Sequence, residues 1–319
     1  MDAAAPVKVS VVIPHYNTLP FVRAAVESVL AQTAPAHEVI VIDDGSPDDP
    51  KAALSEIDDP RFRLVRTANG GAPRARNVGF DLTTGDVVAF LDADDIWYPT
   101  KLERQLPLFG SDAAPVAVGS QMHHVGADGE TPIGVTGEAA LGAVEQRRMR
   151  AADLMPFTLS SALFTRSALQ AVGGFDETVN LVEDLDLISR LAAHGSIQTV
   201  GEPLGTYRIH SGQGSTRNFR AQRTAARFVR ARVAAREAGG DLTWPEFLAH
   251  RSGSRREWFD DTARSLYRTA GVMAAEKHYT GAAVRLGASA LMKPAYVTRR
   301  IRQQRVLALL RKDVGSRLP

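Results

Sequence analysis

The sequence predicts an α/β protein with a mostly parallel sheet and flanking helices, followed by a helical C-terminal region. Three observations carry this. Short β-branched apolar runs recur at 8–14 (KVSVVIP), 38–43 (EVIVID) and 86–91 (DVVAFL), as in strands buried on both faces of a parallel sheet. Segments with helical spacing alternate with them. Polar clusters follow each run directly, where an open α/β sheet places its ligand.

In order along the chain, 19–32 follows the first strand and spaces Phe21, Val22, Ala25, Val26, Val29 and Leu30 as one helical face. After the second strand, 62–65 reads as a third. A helix begins near Pro73 and runs through Arg74, Arg76 and Asn77 to Phe80 before the fourth strand, 86–91. From 110 to 150 the patterning weakens, apart from a turn at Ala127-Asp128-Gly129-Glu130. Order returns at 160–172 and breaks at Gly173-Gly174-Phe175-Asp176. An amphipathic helix is expected over 183–194, with Glu183, Asp184 and Asp186 in its first turn as a positive helix N-terminus favours. Beyond Tyr207-Arg208-Ile209-His210 the chain is Arg/Ala-rich and helical, with breaks at Gly239-Gly240, Gly281 and Pro294.

The charge divides the chain. Residues 1–215 hold 16 Lys+Arg against 28 Asp+Glu, whereas residues 216–319 hold 22 against 8. Two domains are therefore expected, 1–215 and 216–319. The basic part suits either a solvated helical face or an anionic membrane surface or acidic partner; nucleic acid is not expected. Among 319 residues there is no cysteine, which excludes disulfides, thiolate metal sites and a cysteine nucleophile. The N-terminus lacks the basic and apolar regions of a secretory signal, and no apolar run reaches the roughly 18 residues of a spanning helix. A cytoplasmic protein is expected, peripheral at the inner face of the membrane if it meets one.

Four polar segments converge at the strand ends: Pro14-His15-Tyr16-Asn17, Asp43-Asp44-Gly45-Ser46, Asn69-Gly70-Gly71 and Asp92-Ala93-Asp94-Asp95. Adjacent carboxylates at 92, 94 and 95 repel one another. A hard divalent cation, Mg2+ or Mn2+, relieves that repulsion and completes its shell with phosphate oxygens and water. A polar turn capping the next helix fits the same residues. Acidic groups at 43–44 suit a ribose or base but also a plain Asp-Gly turn. Arg74 and Arg76, behind a glycine pair at a helix start, suit phosphate.

Together, VSVVIPHYN, VIVIDDGSPD, NGGAPRARNVGF, TTGDVVAFLDADDIWYPTKLE, VGGFDE, VEDLDLISRLA and YRIH resemble, in order and spacing, the family-2 glycosyltransferases over roughly 8–215. The resemblance implies the GT-A fold, which is Rossmann-like, and an inverting transfer of a hexosyl or N-acetylhexosaminyl group from a nucleoside-diphosphate sugar, UDP first. The acceptor is a saccharide, lipid-linked or other hydroxyl, as in surface polysaccharide or glycoconjugate synthesis. Carried over by position, Pro14, Tyr16, Asn17, Asp44, Asn69, Arg76, Asp92 and Ala93 meet the nucleotide sugar. Asp94 holds the cation, with Asp92 and His210 assisting, and Asp184 is the general base. Gly173, Gly174, Phe175 and Glu183 lie on the acceptor side. Two rivals are a catalytically inactive binding module and a sugar nucleotidyltransferase; the second would normally need an early glycine-rich, Lys-containing phosphate loop, which VSVVIPHYN is not.

Overall fold

The computed structural model describes residues 7–110, 114–130, 132–213, 218–251 and 254–304; the last part of the expected basic region, 305–319, lies outside them. The chain forms two compact units, 1–122 with 136–207, and 123–135 with 208–319. The strand runs read from the sequence appear as β1 (Val9–His15), β2 (Glu38–Asp43), β3 (Phe62–Arg66) and β4 (Val87–Phe90). They pair in parallel in the order β3-β2-β1-β4.

β1 and β2 are buried almost throughout because helices cover both faces. Alternation divides their side chains between two cores. Val11 and Ile13 face α1 (Leu19–Leu30) through Val22, Val26 and Val29. Val12, Ile40 and Ile42 pack with Ala75 and Phe80 of α3 (Ala72–Leu82), and with Leu187, Ile188 and Leu191 of a helix over Glu183–His194. Each such side chain stabilises the fold by about 1.5–3 kcal/mol relative to its exposed state. Gly79 lets α3 approach β1: a Cβ there would lie 2.2 Å from Val12 Cγ1 and 3.2 Å from Ile42 Cγ1. Gly79→Ala should cost about 1–3 kcal/mol by overpacking, read as a lower urea midpoint with unchanged slope.

The region with weak patterning, 110–150, supplies two more strands, and the rest of the sheet comes from strands on either side of it. Between β4 and the basic segment come β5 (Ile96–Trp97), α4 (Lys101–Gln105), β6 (Ala117–Val125), β7 (Pro132–Thr136), α5 (Ala143–Arg150), β8 (Leu163–Thr165), α6 (Arg166–Ala171), α7 (Glu183–His194) and β9 (Ile197–Arg208). The short helix α2 (Lys51–Leu54) precedes β3. The order continues β4-β8-β6-β9-β5, with β7 on β6. Here β8 runs antiparallel to β4 and β6, and β5 antiparallel to β9. The parallel half thus carries an antiparallel extension.

The second unit has helices α8 (Phe219–Glu237), α9 (Trp244–His250), α10 (Arg255–Ala275), α11 (Tyr279–Met292) and α12 (Pro294–Gln304). Gly239-Gly240 and Pro294 fall at helix ends as expected, but Gly281 lies inside α11. Glycine lowers helix propensity by only about 1 kcal/mol, which the helical neighbours override. Among the described residues no helix is long and apolar enough to cross a membrane.

Candidate active site

β4 ends on Phe90, and beyond Leu91 the chain turns through Asp92-Ala93-Asp94-Asp95. The Asp92 backbone N–H donates to Ser160 Oγ at 3.1 Å, which fastens the turn to the segment before β8. Ser160 is itself held: its carbonyl accepts the Trp97 indole N–H at 2.7 Å. The neighbouring Ser161 carbonyl accepts from Lys101 Nζ at 3.0 Å and Gln105 Nε2 at 3.0 Å. Lys101 is fully buried with its ammonium 4.3 Å from the Trp97 ring centre. Burial holds its pKa well below the usual lysine range. DDIWYPTKLE contains Trp97 and Lys101, but nothing in its spacing shows that they support the acidic turn from behind.

Arg76 joins the two acidic segments. Its guanidinium, 5% exposed, donates to Asp92 Oδ1 and to Glu183 Oε1, each at 2.7 Å, from positions 16 and 107 residues apart in sequence. The fork geometry of arginine allows both bonds at once. Burial opposes the arginine's charge, yet Asp92 and Glu183 together raise its pKa. Beneath it lies Phe175, 5.5 Å from ring centre to guanidinium and edge-on to Phe90 at 4.9 Å. Phe175 is buried, so its ring supports Arg76 and is not open to an acceptor.

Asp184, one residue beyond Glu183 at the start of α7, accepts the Leu185 N–H at 2.8 Å. Burial, then the Glu183 charge, push its carboxyl pKa up to about 6. Burial also raises Asp92; Arg76 partly offsets this and Asp94 adds to it. The Gly173-Gly174 turn is clipped to α3 by Asn77, which donates to the Phe175 carbonyl at 2.9 Å and accepts the Phe175 N–H at 2.9 Å. Gly174 has φ +68°, and a Cβ there would lie 2.7 Å from Asn77 Oδ1, so both conformation and space call for glycine. Arg190 completes the clip by donating to the carbonyls of Val172 and Gly174.

Asp44 is buried, and its two carboxylate oxygens accept the N–H groups of Gly70 and Gly71 at 2.9 and 2.8 Å. Asn69 Nδ2 donates to the Asp44 carbonyl at 2.9 Å. The carboxylate therefore shapes the loop before α3, leaving only its remaining lone pairs for a base. Asn17, at φ 54°, donates its N–H to Ser46 Oγ at 3.0 Å, and Tyr16 stands 52% exposed beside it. Pro14 is half-buried at the end of β1. Ala93 turns its methyl into the core, so only its backbone is left for a nucleotide. His210 belongs to the second unit, where its carbonyl accepts the Gln213 N–H at 3.3 Å.

The model of glycosyl transferase family 2 matches residues 10–173, just over half of the chain. The chain belongs to this family. ExoO, a succinoglycan biosynthesis protein of Rhizobium meliloti, is 32% identical to this glycosyltransferase over 217 residues, which is 65% of this chain and 62% of ExoO. The chain spans just under two thirds of the length of ExoO and of a Nostoc glycosyltransferase that it also matches. Staphylococcus aureus TarS in complex with UDP superposes with a TM-score of 0.54 at 16% identity, over 93% of this chain and 91% of that one. Mannosyltransferase PcManGT of Pyrobaculum calidifontis, in complex with GDP-Man and Mn2+, gives 0.54 at 19% identity, over 97% and 82%. These likenesses bear on the fold, which for this glycosyltransferase is GT-A.

Proposed function

We propose that this glycosyltransferase moves a sugar from a nucleoside-diphosphate donor, UDP first, to an acceptor hydroxyl in surface polysaccharide or glycoconjugate synthesis, with inversion at the anomeric carbon. The observation that carries this is the meeting of Asp92 with Glu183-Asp184 across Arg76. One carboxylate cluster sits at a strand end, a carboxyl with a raised pKa stands at a helix start, and a fixed cation lies between. ExoO supports a polysaccharide product, and the UDP in TarS supports the donor.

In the proposed reaction the acceptor oxygen attacks the anomeric carbon as the bond to the diphosphate oxygen breaks, and Asp184 takes the acceptor proton. Arg76 keeps Asp92 and Glu183 in place, and the Asp44-braced loop forms one wall for the nucleoside. Bringing donor and acceptor into line at reacting distance contributes as much as the proton transfer.

Asp92 and Asp94 are hard oxygen donors and fit Mn2+ or Mg2+. Among the described residues no three His, Asp or Glu side chains form a cluster that holds an ion unaided, and diphosphate oxygens and water suit the remaining positions. When bound, the cation neutralises charge on the departing diphosphate. The Mn2+ in PcManGT supports this.

A thermal-shift screen of nucleotide sugars with and without Mn2+ tests the donor and the cation together. The wild type should gain several degrees with a UDP-sugar and more with Mn2+. Asp94→Ala should lose the Mn2+-dependent part; an unchanged Mn2+ response in that variant refutes Asp94 as ligand. The basic C-terminal region is proposed to keep the enzyme at an anionic membrane surface, near a lipid-linked acceptor.

A further inference from the structure

The second unit carries a surface that the transfer chemistry does not use. A cavity of about 650 Å3 lies between α8 and the first turns of α10, with Arg220, Arg251, Arg255 and Trp258 in its wall beside Glu257 and Asp261. Both acids are engaged. Asp261 accepts from Arg223 and, at 2.8 Å, from both terminal nitrogens of Arg227, while Glu257 accepts from Arg251 at 2.9 Å. The partners of Asp261 lie outside the cavity wall, so the wall keeps an excess of arginine.

Trp258 of the wall is 49% exposed, and Phe259, 51% exposed, stands edge-on to it at 5.2 Å. Arg220 lies over the Trp258 ring at 5.5 Å, and Arg255 and Arg256 are exposed one turn earlier. Half-exposed aromatic pairs amid cations are uncommon on a surface that meets only water. The two chemistries together select the occupant. A soluble phosphate would satisfy the arginines but leave the aromatics wet, and an apolar partner would bury the aromatics but strand the arginines. A membrane interface offers both, with anionic headgroups outside and an acyl boundary that takes Trp and Phe.

We infer that Trp258 and Phe259, framed by Arg220, Arg251, Arg255 and Arg256, form the docking surface of this enzyme for an anionic phospholipid bilayer, with lipid phosphates meeting the arginines of the cavity. The inference deepens the proposed peripheral location, and its test needs no donor, cation or acceptor. A failed nucleotide-sugar screen therefore leaves it standing, and its own failure leaves the transfer reading untouched.

The full chain is sedimented with phosphatidylcholine vesicles with or without phosphatidylglycerol, and tryptophan emission is followed in parallel. The expected result is binding to the anionic vesicles alone, weakened by salt, with a blue shift that W258F removes; Trp97 is buried and Trp244 is packed against Phe228 and Phe247, so both stay unchanged. R255Q/R256Q should bind about thirtyfold more weakly, at roughly fivefold per arginine. W258A/F259A should bind about tenfold or more weakly while keeping its far-UV circular dichroism and a single cooperative urea transition. Equal binding to both vesicle types, or wild-type binding by either double variant, overturns the inference. Release by inorganic phosphate at constant ionic strength would assign the cavity to a soluble anion and overturn it too. So would a wild-type dimer without lipid that becomes monomeric as W258A/F259A, which would give the patch to a second copy of the chain.

Discussion

Replacing Asp184 with Asn is expected to lower sugar transfer by about 10²–10⁴-fold while leaving donor affinity within a few-fold, because the proposed proton acceptor is lost and the shape is kept. Single-turnover transfer and calorimetric titration of the donor separate the two effects; an equal loss in both would remove Asp184 from the role of base. The pH dependence follows from the same group. Burial and Glu183 hold its carboxyl at about 6, so kcat/KM for the wild type should climb as pH rises through about 6 and then level. The stability effect has the opposite sign. A folded-state pKa above the unfolded value of 3.8 means that the folded chain binds this proton more tightly. That contribution is fully present below the unfolded value and is lost as pH rises through about 6. Asp184→Asn should therefore be at least as stable as the wild type above about pH 7, in urea, despite its loss of activity.

Replacing Arg76 with Leu should have the largest effect on stability of any single change at the site. It leaves the Asp92 and Glu183 carboxylates facing each other without their shared cation. Removing one partner of a buried ion pair costs about 3–5 kcal/mol. Asp92 is about one-third exposed and Glu183 13%, so water recovers part of this and a loss of about 3 kcal/mol is expected. Arg76→Lys should fall between, since one ammonium cannot reproduce the two-pronged contact. Adding Glu183→Gln to Arg76→Leu should recover part of the loss, a coupling of about 1 kcal/mol or more in a urea double-mutant cycle. Strict additivity would show that the three groups do not act as a unit.

Much of the candidate site is legible in the sequence, for a physical reason. A strand buried on both faces must be a nearly continuous apolar run, so the first polar residues after it mark the sheet edge where ligands bind. That rule alone picked out 14–17, 43–46 and 92–95. Asp184 stands out less by composition, because acids in the first turn of a helix are common caps; only its order among the other motifs singled it out. The antiparallel extension was not legible. β6 is built partly from small and polar residues (AVGSQMHHV), and β8 is three residues long, so neither carries an alternation strong enough to read.

What the sequence determined by itself is the parallel half of the sheet, the places where polar chemistry meets it, the start of α7 and the family. These follow from local patterns, where burial dictates residue type at each position along a strand or helix. The tertiary structure alone decided how the side chains share their bonds. Arg76 spans Asp92 and Glu183, Asp44 spends its oxygens on the N–H groups of Gly70 and Gly71, and Lys101 and Trp97 brace the turn through Ser160 and Ser161. Each of these contacts joins groups brought together only when the sheet closes. Hydrogen bonds and ion pairs act over a few ångströms, a distance that residue spacing along the chain does not encode.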